Sequence, residues 1–149
     1  MRLEYRMDDE YQKFPAFWNY QNLTVSETVA RMSCEYFVKD GETYLVTATA
    51  IDPDGTTVLY VKKENSYTEV TEINYSHIGF EVRELQSNGS VLVEQKEVWN
   101  HEEVLPILHS DIIYIQREGK WLEFTLDSRE IDEDRNCYIY YGSFTGKTR

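Results

Sequence analysis

Hydrophobic and polar residues alternate with a period of two along most of the chain after position 34, and this alternation predicts β-strands. Turn signals separate the alternating runs, most clearly at Asp40-Gly41, Asn88-Gly89 and Glu118-Gly119. Most connections are too short for parallel crossovers, so the pattern favours a mainly antiparallel sheet. We expect strands at 34–39, 44–51, 56–63, 80–85, 91–98, 111–117, 121–126 and 137–141, with an ambiguous segment at 67–75.

Two segments carry helix signals. Thr24 or Ser26 can cap a short helix over 24–33, and an acid stands three residues after Thr24, as in a capping box. Asn100 is a good N-cap for a second short helix over 101–108. The acids in the first turn of that helix also suit the helix dipole. The helices interrupt the strand pattern only briefly.

Together these elements predict a strand-rich α+β fold for residues 1–149 as a single domain. We expect a mainly antiparallel sheet, or a partly closed barrel, of about eight strands with two short helices. Residues 1–13 are expected to be flexible or loosely packed, while the aromatic segment from about Phe14 should pack on the body of the domain. Residues 142–149 are expected to form a frayed tail.

One segment resembles another within the chain. Residues 36–44 align with 114–122, because both combine an aromatic strand, an acid-glycine turn and a second aromatic strand, 78 positions apart. The pattern suggests an internal duplication of a helix-plus-hairpin unit, with a groove between two similar halves. The similarity can also arise without duplication, since hairpins resemble one another wherever turns need glycine and strands need aromatic residues.

The chain is strongly acidic, with a formal net charge of −12 from 27 acids and 15 bases. This charge argues against binding to nucleic acid, which needs clustered lysine and arginine, and against an anionic membrane surface. It suits either a solvated surface or attraction to a basic partner. The acids concentrate in three stretches that are poor in bases, at 40–54, 97–111 and 127–134. If these stretches share one side of the fold, they form an acidic face.

Nothing in the sequence predicts secretion or a membrane span. The first residues lack the apolar run of a signal peptide, and no apolar stretch approaches the ~20 residues that a membrane helix needs. We therefore expect a cytoplasmic protein. Cys34 and Cys137 are far apart and form no C-x-x-C pair, so we interpret both as core residues.

Catalytic and metal-binding motifs are not apparent. The chain lacks nucleotide-binding glycine loops, zinc-protease motifs and serine-hydrolase elbows. His77, His101 and His109 are spaced too widely to predict a metal site, which usually needs three or four protein ligands. We predict no metal and no cofactor, and lean against enzymatic activity without deciding the question.

Exposed aromatic residues beside acids are typical of protein-recognition surfaces. The alternation around Trp121 places its side chain on the opposite face of the sheet from the core residues of its strand. Tyr138 and Tyr140 likewise alternate with Cys137, Ile139 and Tyr141 and are candidates for the same exposed face. We expect a non-enzymatic binding or regulatory protein, similar to an inhibitor or immunity protein, that engages a basic protein partner. The candidate contact residues are Trp121, Tyr138, Tyr140, Asp127, Glu130, Asp132, Glu133, Asp134, Glu102 and Glu103.

Three other roles stay open at this point. A small-molecule or carbohydrate domain would have a pocket lined by tyrosine and tryptophan between the sheet and a helix. An enzyme would use a site of carboxylates and histidines. Open strand edges also allow a homodimer. The sequence predicts neither the identity of a partner nor the strand order.

Overall fold

Ten strands form one open sheet in the computed structural model, which describes residues 1–64 and 73–149. The strands are β1 (Leu3–Met7), β2 (Ala16–Tyr20), β3 (Tyr36–Lys39), β4 (Glu42–Ile51), β5 (Thr57–Glu64), β6 (Ile78–Gln86), β7 (Gly89–Val98), β8 (Ile112–Arg117), β9 (Lys120–Asp132) and β10 (Cys137–Thr148). The helices are α1 (Val25–Ser33) and α2 (Leu105–Leu108), and a one-turn 3-10 helix (His101–Glu103) precedes α2. The expected strand-rich α+β class with two short helices is confirmed.

The sheet is mixed rather than purely antiparallel. Its strand order is β2-β1-β5-β4-β3-β9-β10-β6-β7, and β8 pairs with β9 beside this path. Six pairings are antiparallel, whereas β1–β5, β3–β9 and β6–β10 are parallel. The argument from short connections missed these pairs because each joins strands that are distant in sequence. The sheet does not close into a barrel, which removes that alternative.

Both ends of the chain belong to the sheet. Strand β1 lies inside the segment 1–13 that was expected to be loosely packed, and its Leu3 and Tyr5 side chains are fully buried. Strand β10 continues to Thr148, through most of the expected tail 142–149. Residues 3–7 alternate between apolar and polar side chains as a strand does, whereas residues 142–148 are mostly polar or glycine, and pairing with β9 decides their structure.

The two predicted helices differ in regularity. Helix α1 has the predicted cap, because the Thr24 side chain accepts a hydrogen bond from the Glu27 amide. Asn100 also forms the predicted cap, with a full capping box to Glu103. The second helix is broken after the 3-10 turn, since Pro106 has no N–H to donate to the preceding turn.

Two further expectations from the sequence concern the segments 67–75 and 127–134. Most of the ambiguous segment 67–75 lies outside the described residues. The strand expected over 121–126 is longer in the structure, because β9 continues into the acidic stretch 127–134 as far as Asp132. A β-bulge after Leu126 hides this continuation, because the extra residue breaks the alternation.

The described residues divide into two halves with the same topology. In each half the strand order is second, first, fifth, fourth, third: β2-β1-β5-β4-β3 in the first half and β7-β6-β10-β9-β8 in the second. The first and fifth strands are parallel in both halves, and every other pairing within a half is antiparallel. A helix follows the second strand in each half.

β-Bulges occur at corresponding places in the two halves. The β1–β2 register shifts between Tyr5 and Arg6, and the β6–β7 register shifts between Val82 and Arg83. The β4–β5 pairing carries a bulge at Thr47, and the β9–β10 pairing carries one at Asp127. Bulges are specific features of a strand pair, so their agreement aligns the halves residue by residue.

This alignment uncovers matching residues that the sequence comparison had missed. Glu4 bonds Arg6 two residues on, as Glu81 bonds Arg83. The fourth and fifth strands are joined by an Ile-Asp-x-Asp sequence in both halves, at 51–54 and 131–134. The two halves share one hydrophobic core, which includes Leu3, Tyr5, Phe37 and Leu59 from the first and Phe80, Val82, Phe124, Tyr138 and Tyr140 from the second.

Candidate functional site

The predicted contact residues separate into exposed and buried groups. Trp121 is 46% exposed, so its strand face offers aromatic surface. The exposed acids of the predicted set are Asp127, Asp134, Glu102 and Glu103. The buried members are Tyr138, Tyr140, Glu130 and Asp132, and Glu133 is half-buried.

Tyr138 and Tyr140 lie in the core and not on a contact surface. They are 1% and 0% exposed, and both pack in the main hydrophobic cluster. The Tyr140 hydroxyl donates to the Ser110 carbonyl, and the Tyr138 hydroxyl contacts His101. The helix layer covers this face of β10, which the alternation in the sequence did not specify.

Several of the predicted acids have structural partners. Asp134 accepts hydrogen bonds from the amides of Asp40 and Gly41, both at 2.8 Å. Asp132 pairs with Arg135 at 3.1 Å. Because these carboxylates bind the chain itself, they are not free for a partner.

The three base-poor stretches do not form one face. Asp40 and Asp52 flank the two ends of β4, which spans ten residues and therefore about 30 Å. Asp52 bonds Arg6 at 2.7 Å, far from the turn that Asp134 caps.

A cavity lies between α1, the 3-10 helix and the turn after β9, and we name it the junction pocket. Its volume is about 350 Å³. Its wall is both polar and apolar, and includes Tyr20, Leu23, Glu27, Arg31, Ile78, His101, Glu133 and Asn136. The pocket joins elements from both halves of the fold.

A chain of hydrogen bonds runs along the junction pocket. Glu27 Oε1 lies 3.1 Å from His101 Nε2, and His101 Nδ1 lies 2.7 Å from the Tyr138 hydroxyl. Burial acts to raise the pKa of Glu27, but the hydrogen bond from His101 and the charge of Arg31 lower it overall. An ionised Glu27 can only accept, so His101 donates from Nε2, and in a neutral imidazole Nδ1 is then the acceptor for the Tyr138 hydroxyl.

The carboxylate, imidazole and phenol follow one another in the order of a catalytic relay, but the phenol is buried and not open to a substrate. Burial raises the pKa of Tyr138, so the phenolate that a nucleophile would need is disfavoured. The hydroxyl is also enclosed in the core. The chain therefore positions His101 against the pocket wall.

Arg31 is the central charge of the pocket wall and is only 4% exposed. It pairs with Glu27 at 2.9 Å and with Glu133, which also accepts from the Tyr20 hydroxyl. The guanidinium lies 4.2 Å from the centre of the Tyr20 ring. This network connects α1 of the first half to the turn that follows β9 in the second.

A second and more open cavity of about 600 Å³ lies beside β4, and we name it the edge groove. Its floor is mostly apolar, with Val29, Met32 and Val46 among its residues. The groove is bounded by α1, by residues 46–49 of β4, and by His109 and Arg129 from the second half.

Ser33 and His109 form a serine–histidine pair at the edge groove, with Oγ and Nε2 2.7 Å apart. The Ser33 hydroxyl also lies 2.7 Å from the Val29 carbonyl, which can only accept. The single hydroxyl proton is therefore committed to Val29, and His109 donates to the serine oxygen. In this arrangement the histidine is not a base for the serine.

Charged residues line the edge groove where the two halves meet. Arg129 contacts Glu35 at 2.5 Å, and the Glu35 carboxylate also accepts from the Arg129 amide. Hydrogen bonds to Glu35 and, to a smaller extent, the charge of the exposed Asp111 raise the pKa of Arg129, and the exposed Asp127 stands two residues before it on β9. The Asp111 carbonyl accepts from the amide of Leu126, next to Asp127.

A metal site and a membrane-spanning helix are two further possibilities for the described part of the chain. No group of three or more histidine, cysteine or acidic side chains there can hold a metal ion. None of the described helices has the length and apolar character to span a membrane. Comparisons with known protein families, with curated proteins and with solved structures found no match to this chain.

Sequence reasoning missed the residues that build both cavities. Glu27 and Arg31 stand four apart on a helix, which is a recognisable pair spacing, but their partner Glu133 is distant in sequence. The edge groove leaves no sequence signal, because it depends on how strands from the two halves pair.

Proposed function

We propose that this protein is a non-enzymatic binding protein that engages a basic segment of another protein at the edge groove, in an inhibitor-like or immunity-like role. The observation that carries the proposal is the groove itself, which has a mostly apolar floor and is lined by Arg129, a residue close to the exposed Asp111 and two positions after the exposed Asp127. Opposite charge speeds the encounter with a basic partner, and the net charge of −12 repels acidic competitors.

Affinity capture with charge variants tests this proposal. The variant Asp111→Asn/Asp127→Asn removes two charges at the groove, and the control Glu97→Gln/Glu118→Gln removes two exposed charges elsewhere. Wild type and control should capture the same basic protein from native extract at low salt, and the groove variant should lose it. An equal loss of capture in the groove variant and in the control would contradict a site at the groove, because only net charge would then matter.

A second candidate function is a small-molecule site in the junction pocket. Its volume falls at the lower end of the range for ligand pockets, about 300–1,000 Å³. Glu27 and Glu133 already accept from Arg31, so a small polar ligand with hydrogen-bond donors would use their remaining lone pairs.

Filling the junction pocket tests the second candidate. Ile78→Trp should abolish any fragment signal in saturation-transfer NMR, because Ile78 lines the pocket. Leu85→Trp is the matched control, as Leu85 is exposed at the far end of the same strand. A library that gives no signal with wild-type protein would remove this candidate and leave the edge groove untouched.

We also infer that the chain arose by internal duplication. Support comes from the shared strand order, the matching bulges and the repeated Ile-Asp-x-Asp sequence. Duplication makes the fold a covalent pseudo-dimer, and both cavities lie where the halves meet.

A further inference from the structure

The two halves differ in how the edge of their fourth strand is covered. In the second half, residues 130–132 of β9 pair in parallel with residues 36–38 of β3. The corresponding part of β4 is 50–52, because the bulges at Thr47 and Asp127 align the two strands. Among the described residues, no strand pairs with this edge of β4 beyond Leu45.

Backbone direction along β4 follows from two hydrogen bonds. The Val46 amide donates to the Glu35 carbonyl on the open side, and the Asp52 amide donates to Thr56 on the β5 side. Strand amides alternate in direction, and the bulge at Thr47 shifts the alternation by one residue. The amides of Thr49 and Ile51 therefore point to the open side.

Strand β9 of the second half has the same amide directions, and it shows which groups accept hydrogen bonds from the outward amides. The Leu126 amide donates to the Asp111 carbonyl, as Val46 does to Glu35. At the positions that match Thr49 and Pro53, the Arg129 amide donates to the Glu35 carboxylate and the Glu133 amide donates to the Val38 carbonyl. The covered edge of β9 is thus a template for an occupied edge of β4.

We propose that the partner docks as an added strand on the Thr49–Ile51 edge, parallel to β4 and with basic side chains, an inference that rests on the proposed function. Strand addition to an open sheet edge is a general mode of peptide recognition, in which main-chain hydrogen bonds supply affinity. The added strand would repeat what β3 does on β9. Pro53 sets one limit of the site, because it has no N–H where Glu133 has a donor.

Side chains around this edge favour a basic, partly apolar segment. Thr49 and Ile51 are exposed, and Ile51 is 62% exposed although it is a large apolar residue. A docked strand would bury Ile51. Exposed Asp111 is close enough to Arg129, which lines the groove, for its charge to act on that arginine.

A second copy of this chain is a poor occupant of the same edge. Each copy carries a net charge of −12, so two copies repel one another. A lysine-bearing strand is instead attracted by this net charge. The sign of the charge therefore selects a basic partner over self-association.

Binding of a defined peptide tests the mode of docking. The probe is a fluorescent seven-residue peptide of alternating lysine and valine with blocked termini, measured by fluorescence anisotropy at low salt. Thr49→Pro removes an outward amide that no described residue accepts, and proline is tolerated at strand edges, so the fold should persist. Thr49→Ala is the matched control, because it retains the amide. Loss of one main-chain hydrogen bond should weaken binding about tenfold in the proline variant alone.

A second probe keeps the test independent of how Thr49→Pro folds. The same peptide with alternate backbone nitrogens methylated has equal charge but cannot form a ladder, so it should bind wild-type protein at least about tenfold more weakly. Equal binding of both peptides, or equal binding by both Thr49 variants, would overturn strand docking while the basic-partner function stands. Failure of the lysine–valine peptide to bind at low salt, alongside an equally inert glutamate–valine peptide, would overturn both.

Discussion

Ser33 and His109 occupy corresponding positions in the two halves and meet in a hydrogen bond of 2.7 Å. Their correspondence follows from the helix caps, since Thr24 and Asn100 precede them by nine residues each. Two residues that correspond in this way and touch mark the place where the pseudo-symmetry axis passes. The pair links the end of α1 to the end of α2, and this link borders the edge groove.

The role of His109 as a donor can be tested by substitution. His109→Gln keeps a side-chain N–H, so it should retain most of the stability, whereas His109→Leu should lower the free energy of unfolding by about 1 kcal/mol. Urea denaturation measures both. A matching loss in Ser33→Ala that is not additive with His109→Leu would confirm the coupling. Equal stability of the two histidine variants would contradict a donated hydrogen bond.

Arg31 should be far more important to stability than the more exposed Arg129. Arg31→Met leaves Glu27 and Glu133 without their buried cation, which should cost about 3–5 kcal/mol in the free energy of unfolding. Arg129→Met removes a pair with the half-exposed Glu35 and should cost only about 1 kcal/mol. Chemical denaturation compares the variants, and similar losses would show that burial does not decide the difference.

Acid should destabilise the fold through Glu27 and Glu81. Burial opposes ionisation of both, but His101 and Arg31 lower the pKa of Glu27, and Arg135, Tyr75 and Arg83 lower that of Glu81. A lowered folded pKa gives stability that is present above the ordinary value of 4.5 and is lost as pH falls through the folded value.

Urea midpoints between pH 7 and pH 3 measure this effect. The midpoint should fall once the pH passes below about 4.5, and Glu27→Gln should flatten the fall. Glu42→Gln is the control, because Glu42 pairs with the exposed Lys63 at the surface. A midpoint that rises on acidification would contradict the assignment of these two carboxylates.

Local sequence signals predicted the local parts of this fold. The turns at Asp40-Gly41 and Glu118-Gly119 have positive φ angles at both residues, as two-residue hairpin turns require, and Thr24 caps α1 as expected. Strand β1 was missed although residues 3–7 alternate strictly between apolar and polar side chains, and pairing with the distant β5 completes its burial.

The candidate site was predictable only in part. Asp127 was predicted from the charge pattern and lies near the edge groove, but the acids around it have other uses in the fold. Buried charges such as Asp132 cannot be separated from exposed ones by composition, because an arginine partner decides their burial. The open edge of β4 is visible only once the second half supplies its covered counterpart.

Amide hydrogen exchange at Thr49 and Ile51, with Ala50 as an internal reference, tests the central claim most directly. The free protein should show faster exchange at Thr49 and Ile51 than at Ala50, whose amide points to β5. Saturation with the lysine–valine peptide should slow exchange at Thr49 and Ile51 by about tenfold or more and leave Ala50 unchanged. Slow exchange at Thr49 and Ile51 in the free protein, or unchanged rates at saturation, would contradict a partner strand on this edge.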